Sequence, residues 1–324
     1  MRRRTFVLAS STALAVQPWA MAQQAAWPTR PVRMVIGYPP GGSTDVAGRL
    51  LAERLGQRLG QPVVVDNRAG AGGTVGATSV VRSEPDGYTL LLAASPEVSI
   101  APVTVKALPY DPVKDLQPIT LVGQVPFFLV VNPSVPANTL QEFIAYARSN
   151  PGKLNYSSFG NNTSNHLAGE LFKSLTGTRS VHVPYKGSGP SMIDLIGGQV
   201  QYSFDTPPAV MEHVRGGKLR ALAVASRQRL PGLPDVPTFA EAGLPAFTGG
   251  TWFGLLAPAK TPRAVIERLN ADSVALLSSP ELSKAFADKG IVASPQSPDE
   301  FSRFVQGEVN KWKELAAKVG IVAE

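Results

Sequence analysis

Tyr38-Pro39-Pro40-Gly41-Gly42-Ser43-Thr44-Asp45 lies between an apolar run, residues 32–37, and an amphipathic run, residues 46–59. That order predicts a strand, a turn of small residues and a helix. Gly41 and Gly42 let the backbone come close to another group. Ser43, Thr44 and Asp45 are N-cap residue types, so the helix starts here. A helix start presents free N–H groups and a partial positive charge, which suits an anion. The same logic recurs at Gly160-Asn161-Asn162-Thr163-Ser164-Asn165-His166, between an apolar run at 154–159 and a helical run at 167–175. Two such turns, far apart in the chain, predict two lobes that each aim a helix start at one shared ligand.

The chain has 324 residues, 44% hydrophobic and 17% charged, which leaves room for two globular domains of about 100–200 residues. Its 30 Gly and 29 Pro fall between periodic segments, so they mark short connections rather than disorder. Residues 1–22 read as an export signal peptide, with a basic start at Arg2-Arg3-Arg4, an apolar core at 6–16 and a cleavage site at Ala20-Met21-Ala22. Residues 3–8 also fit the twin-Arg pattern loosely, so both export routes stay open. The apolar core is shorter than the ~20 residues of a membrane span. Removing three Arg and no acid lowers the formal charge from +7 to +4. Beyond the signal no Lys/Arg run is present, which argues against nucleic acid, and the mild positive balance agrees with an anionic small ligand. With no cysteine, disulfides, thiolate catalysis and a lipidated N-terminal Cys are excluded. The expectation is a soluble, monomeric periplasmic protein without a cofactor.

Beyond a polar leader at 23–31, strands and helices alternate. A helix at 46–59 stops at Gly60, a short strand follows at 63–65, and a Gly-rich turn at 70–76 leads to a helix toward Arg82. A buried strand at 88–94 completes a β-α-β-α-β order, which predicts a parallel sheet with helices on its faces. Residues 102–126 carry Pro109, Pro112 and Pro118 and read as a long connection. A strand at 127–131 and a capping box at Thr139-Leu140-Gln141-Glu142 open a second α/β unit, with runs at 154–159, 167–175, 180–184, 191–196, 201–204 and 219–225. Residues 227–245 read as a return connection, and 251–256 as one more strand. Helices then start at Thr261-Pro262, Ser279-Pro280 and Ser297-Pro298, each with an N-cap residue before a first-turn proline, and stop at Gly290 and Gly320. The fold class is α/β in two lobes, residues 23–124 plus 227–324 and residues 125–226, with the two connections as hinges.

Catalytic signatures are missing. The Gly70–Gly76 turn has Val75 where a dinucleotide fingerprint needs its last Gly; it packs closely, or it adds to the cleft rim. The nucleophile elbow fails at Asp45, which stands where its final Gly belongs. His166, His182 and His213 lack metal-ligand spacing. An exported α/β hydrolase or lyase is the rival class, and these absences count against it. His166 either caps its turn or touches the ligand, with catalysis a remote third reading. Lys186-Gly187-Ser188 is a third turn of the same kind, either ordinary or part of the site. Asp205 ends a strand, where open parallel sheets bind ligands, or else caps the next segment. Ser95 and Glu97 follow the 88–94 strand in the same way.

These residues resemble those of the Bug-type periplasmic solute receptors of tripartite tricarboxylate transporters. The resemblance covers essentially all of the chain beyond the signal. It rests on the opening stretch, Gln61-Pro62-Val63-Val64-Val65-Asp66-Asn67-Arg68, Pro85-Asp86-Gly87-Tyr88-Thr89-Leu90, His166-Leu167-Ala168-Gly169-Glu170-Leu171-Phe172, Val183-Pro184-Tyr185-Lys186-Gly187 and Gly197-Gly198-Gln199-Val200. It implies a type II Venus-flytrap fold and a small organic carboxylate in the cleft. The loops matching residues 40–45 and 160–166 would grip one carboxylate through backbone groups and waters. It also implies delivery to polytopic membrane transporter subunits, with a sensor kinase as the alternative recipient. The chain departs from the pattern at Glu97, expected to face the distal end of the ligand and to alter specificity, and at the bulkier Asn161-Asn162.

Overall fold

The computed structural model describes residues 27–319 apart from Thr248, together with Ala323. The signal peptide and the stop at Gly320 lie outside the described residues. Two mixed sheets carry the architecture. The first has strand order β11 (Val292–Ala293), β4 (Leu116–Pro126), β10 (Gly250–Pro258), β3 (Thr89–Ala94), β1 (Val32–Ile36), β2 (Val63–Asn67), and the second β7 (Ser180–Pro184), β6 (Leu154–Ser158), β8 (Tyr202–Asp205), β5 (Phe128–Val131), β9 (Arg220–Val224).

The first sheet is seeded by β1 (Val32–Ile36), which pairs in parallel with β2 (Val63–Asn67) and β3 (Thr89–Ala94). Crossover helices α1 (Ser43–Leu59) and α2 (Thr74–Val81) join these strands. β3 is buried along its whole length, as an inner strand covered on both faces should be. Leu51 and Leu55 of α1 are fully buried on one face, beside Val32, Met34 and Ile36. Each such leucine contributes roughly 1.5–3 kcal/mol of burial. Gly48 permits the close approach, because a Cβ there would sit 2.5 Å from Ile36 Cδ1.

The expected connection at 102–126 holds structure of its own. A short helix α3 (Ala101–Thr104) follows a helical turn at Pro96–Ile100, and Leu116–Pro126 is an eleven-residue strand, β4. Pro118 does not break β4, because the pairing with β10 (Gly250–Pro258) shifts register beside it; bulges admit a proline that a regular ladder would not.

The second sheet repeats the plan with β6 (Leu154–Ser158), β7 (Ser180–Pro184) and β8 (Tyr202–Asp205), β6 pairing in parallel with both of the others. They are joined by α5 (Ser164–Thr176) and α6 (Ser188–Ile196). β5 (Phe128–Val131) lies antiparallel between β8 and β9 (Arg220–Val224), and α4 (Leu140–Ser149) packs against the sheet through Phe143. A helix absent from the sequence reading, α7 (Pro207–Arg215), opens on two prolines. Prolines in a first turn lose no helical hydrogen bond, yet as residue types they read as turn formers.

In each sheet one antiparallel strand, β10 or β5, follows directly on a crossing between the two sheets. The crossings run side by side, with the Phe127 N–H donating to the Gly249 carbonyl at 3.2 Å and Gly250 opposite Pro126. The return segment packs with the second sheet. Phe239 and Phe247 stack at 4.2 Å within its core, so the crossing back lies near Gly250 rather than at Arg227. Helices α8 (Arg263–Leu277), α9 (Pro280–Ala287) and α10 (Pro298–Val319), with the short strand β11 (Val292–Ala293), complete the first sheet's layers. Ser279 caps α9, and Ser297 with Glu300 forms a full capping box at α10. Thr261 does not cap α8; its hydroxyl donates to Pro258 O, and Pro262 is the cap. At α4, Thr139 caps as expected, but Glu142 reaches the N–H of Asn138.

Candidate functional site

Parallel strands deliver their C-terminal ends, and the helix starts that follow, to one face of a sheet. Here the two sheets turn those faces toward each other. The turns between them touch: a Cβ on Gly187 would lie 3.1 Å from Pro39 Cδ, and one on Gly72 3.7 Å from Asn161 O. A cavity of about 30 Å³ remains between them, room for about two water molecules.

The first wall is the opening stretch. Tyr38, Pro39, Pro40, Gly42, Ser43 and Thr44 line the cavity. The cap of α1 is Gly42, in extended conformation, and no side chain caps the helix. Ser43, Thr44 and Asp45, read as cap types, are instead its first three residues. Ser43 and Thr44 are buried, and among the described residues their hydroxyls have no hydrogen-bond partner. Asp45 does not line the cavity. Its carboxylate accepts from Gly41 N at 3.0 Å, Arg49 Nε at 2.9 Å and Asn67 Nδ2 at 3.0 Å. Burial alone would raise its pKa, but the bonds from Arg49, Gly41 and Asn67 outweigh that and hold it below the ordinary value. Asp45 thus fixes the turn while Gly41 takes a left-handed backbone, φ 85°, that favours glycine.

The opposite wall is built the same way. Thr163 is the cap residue of α5, but its hydroxyl bonds Gly160 O and Asn165 Oδ1, so no side chain caps this helix either. Ser164 holds the position of Ser43, is a buried residue that lines the cavity, and has a hydroxyl without a partner among the described residues. His166 holds the position of Asp45. Its Nδ1 accepts the Asn162 N–H at 3.1 Å, four residues back, just as Asp45 takes Gly41. The imidazole stacks on His182 at 3.9 Å, and His182 Nε2 meets Ser158 Oγ at 2.6 Å. Burial, helped by His166, drops the His182 pKa to about 3. Of the residues 160–166, only Ser164 lines the cavity; Asn161 is exposed at the rim, and Asn162 reaches Thr104 O of the first lobe at 3.4 Å.

Gly187, Ser188 and Gly189, at the start of α6, also line the cavity, while Lys186 is exposed outside it. Asp205 lies behind this wall. It is fully buried and accepts from Ser188 Oγ at 3.0 Å and Thr206 N at 2.6 Å. Burial pushes its pKa up to about 7 against the pull of those bonds. Glu97 departs most from expectation, because it does not face the cavity. Residues 95–100 are helical, and the turn swings its side chain inward until it is 0% exposed. There Oε1 accepts Ala94 N at 2.8 Å, and Oε2 lies 3.0 Å from Tyr38 Oη, which also bonds Gly72 O. Burial pushes Glu97 up to about 8. The Tyr38 hydroxyl is the donor to both Glu97 Oε2 and Gly72 O. Ser95, itself outside the lining, bonds the lining residue Thr251 at 2.9 Å.

The family model described as tripartite tricarboxylate transporter family receptor matches residues 47–321. The chain belongs to this receptor family. Protein BugT of Bordetella pertussis is 41% identical over 295 residues, covering 91% of this chain and 90% of BugT. Among solved structures, the R. palustris protein Rpa4515 with adipate superimposes with a TM-score of 0.90 at 35% identity, over 92% of this chain and all of that one (100%). MatC from Rhodopseudomonas palustris with bound malate gives 0.84 at 33% identity, over 89% and 99%. As a tripartite tricarboxylate receptor, the chain is a solute-binding protein and not an enzyme, and two relatives hold carboxylates. No helix among the described residues is long and apolar enough to cross a membrane. Of the receptor's remaining lining residues, Pro96 lies in the turn between Ser95 and Glu97 that the sequence singled out, while Ala94, Phe159, Thr251 and Phe253 escaped the sequence reading. They carry no chemistry that a motif would flag; only Ala94 and Phe159, at the ends of predicted strands, stood where a strand-end rule finds them.

Proposed function

We propose that this receptor closes its two lobes on one small carboxylate in the periplasm and hands it to the membrane subunits of a tripartite transporter. One observation carries the reading. α1 and α5 reach a single cavity from opposite lobes, and with no side-chain cap on either, each leaves first-turn N–H groups open there. Each uncapped start also brings a serine, Ser43 or Ser164, to the cavity lining with a hydroxyl that has no partner among the described residues. A carboxylate between the two helix starts would bond both. The expected signal peptide supports export, and adipate and malate in the two R. palustris relatives support the ligand class.

Calorimetry on the purified protein tests this reading. Ser43→Ala and Ser164→Ala should each weaken carboxylate binding by roughly tenfold, the worth of one hydrogen bond to a charged group, with melting temperature preserved. Unchanged affinity in both variants overturns the pincer. Uptake by cells carrying the transporter subunits tests delivery; uptake that survives deletion of the receptor counts against it.

A further inference from the structure

Glu97 lies behind the first wall and touches three parts of it at once. Its Oε1 accepts the N–H of Ala94, a lining residue at the end of β3, at 2.8 Å. Its Oε2 accepts from Oη of Tyr38, another lining residue, at 3.0 Å. The carboxyl also packs on the turn before α2, where a Cβ on Gly73 would lie 2.6 Å from Oε2. Tyr110 Oη holds the backbone carbonyl of Glu97 at 2.6 Å.

That turn has an unfavourable backbone. Ala71, Gly72 and Gly73 are all left-handed, with φ of 45°, 63° and 95°, a conformation that costs an alanine most. Tyr38 anchors the turn by donating to Gly72 O at 3.0 Å. Gly72 is also where this lobe meets the other, since a Cβ there would lie 3.7 Å from both Asn161 O and Thr163 Cγ2. A tyrosine hydroxyl has one proton to donate, and Tyr38 stands equally far from two acceptors, Gly72 O and Glu97 Oε2. An ionised carboxylate makes a bond about twice as strong as a neutral oxygen does. A charged Glu97 would therefore draw the proton away from Gly72.

Taking the interlobe site proposed above as given, we propose that Glu97 is a positioning residue for lobe closure. It sets whether Tyr38 ties down the Gly70–Gly73 turn, and so whether the first lobe offers a fixed surface to Asn161 and Thr163. Burial pushes Glu97 up to about 8, so the anchor holds at neutral pH and is released as pH rises through that value. The titratable groups that face Glu97 are Tyr38 and Tyr110, both raised by burial above the usual tyrosine value, so both keep their protons there. Among the described residues no Lys, Arg, His or second acid acts on it, including those of α10, which packs on the same helical turn.

Hydrogen exchange of the unliganded protein, followed by mass spectrometry, tests the proposal, because exchange reports local opening. Tyr38→Phe removes the shared proton and leaves Glu97 in place. At pH 7 it should speed exchange about fivefold in peptides covering 70–76, the worth of one hydrogen bond, and also in the facing turn at 160–166. Glu97→Gln should match the parent at pH 7, since its amide oxygen is a neutral acceptor. At pH 9 the parent should exchange about fivefold faster in both turns than Glu97→Gln at the same pH, a comparison that removes the direct effect of base. Tyr38→Phe protected like the parent, or a parent that follows Glu97→Gln at pH 9, overturns the shared proton. A turn already loose in Glu97→Gln at pH 7 overturns it too, because packing of the acid would then hold the turn. Loosening confined to 70–76 overturns the link to closure. Exchange needs no ligand, so its outcome is separate from the calorimetry that tests the pincer.

Discussion

Glu97 shows how a single acid can change meaning between sequence and structure. As a sequence feature it reads as a charge facing the ligand. Folded, it is a buried acid that accepts from Tyr38 and Ala94, and this has a pH signature. An unfolded Glu ionises near 4.5, whereas folded Glu97 holds its proton to about 8. Between those values the folded chain keeps a proton that the unfolded chain has lost, so stability falls as pH rises through the window and levels off above it. Asp205 acts in the same sense but is spent by about 7. His182, ordinarily near 6.5 and lowered to about 3, acts oppositely, and its contribution is lost as pH falls below 6.5. From pH 7 to 8 the slope therefore belongs mainly to Glu97. Glu97→Gln, whose amide oxygen can still accept from Tyr38, should flatten melting temperature against pH in that interval. It should also stabilise the protein at pH 8.5 by on the order of 1–3 kcal/mol. An unaltered slope in thermal denaturation would show that Glu97 is ionised. Asp45 is the companion case, legible as an acid at a helix start but not as the group that holds Gly41. Asp45→Ala should cost affinity through the loosened turn, and a binding constant equal to that of the parent would remove it from the site.

At the scale of elements, α1 and α5 are one device made twice. Each begins with a serine aimed into the cavity, and each has a third residue that reaches back four positions to hold the preceding turn. The sequence displays this repetition as strand, small-residue turn and helix, which is why both walls could be found without coordinates. It hides the exchange of Asp45 for His166, because a carboxylate and an imidazole share only the ability to accept a hydrogen bond. It also hides β4 and α7, whose prolines are accommodated by a register shift and by a helix's first turn. Phe253 and Thr251 escaped because they come from a strand that enters the first sheet from the other end of the chain. The uncapped state of α1 can be tested directly. Gly42 has extended dihedrals, and a Cβ there would meet only Pro39 O at 3.7 Å, so a serine fits. Gly42→Ser should stabilise the unliganded protein by a few tenths of a kcal/mol as an ordinary cap. It should weaken carboxylate binding at least tenfold, by occupying the N–H groups the ligand needs. A variant that is both more stable and equally avid would detach the helix start from binding.

Across the whole molecule, the lobes meet at more than the cavity. Trp312 of α10 packs with Ile100 of the first lobe and Leu167 of α5 in the second. Its position on the seam makes it a reporter of lobe movement. Carboxylate binding should shift its fluorescence, and Trp312→Phe should remove that change while affinity stays within severalfold, as expected for an exchange of large apolar side chains. A signal that persists in Trp312→Phe would place the movement elsewhere. The two-lobed plan was readable because each lobe repeats alternating strands and helices. The exact crossing back was not, because the 227–249 segment looks like a connection and yet buries Phe239 and Phe247 in the second core.

The two crossings form a zipped ribbon, with Phe127 bonded to Gly249 and Gly250 opposite Pro126. A ribbon of that kind bends readily across its width but resists sliding along its length. One residue inserted in a single crossing would slip the ladder and turn alternate side chains to the opposite face. The jaws would then meet out of phase, Ser43 no longer opposite Ser164, although each lobe kept its own fold. The length of the ribbon is thus a gauge, and it is set in units of one residue.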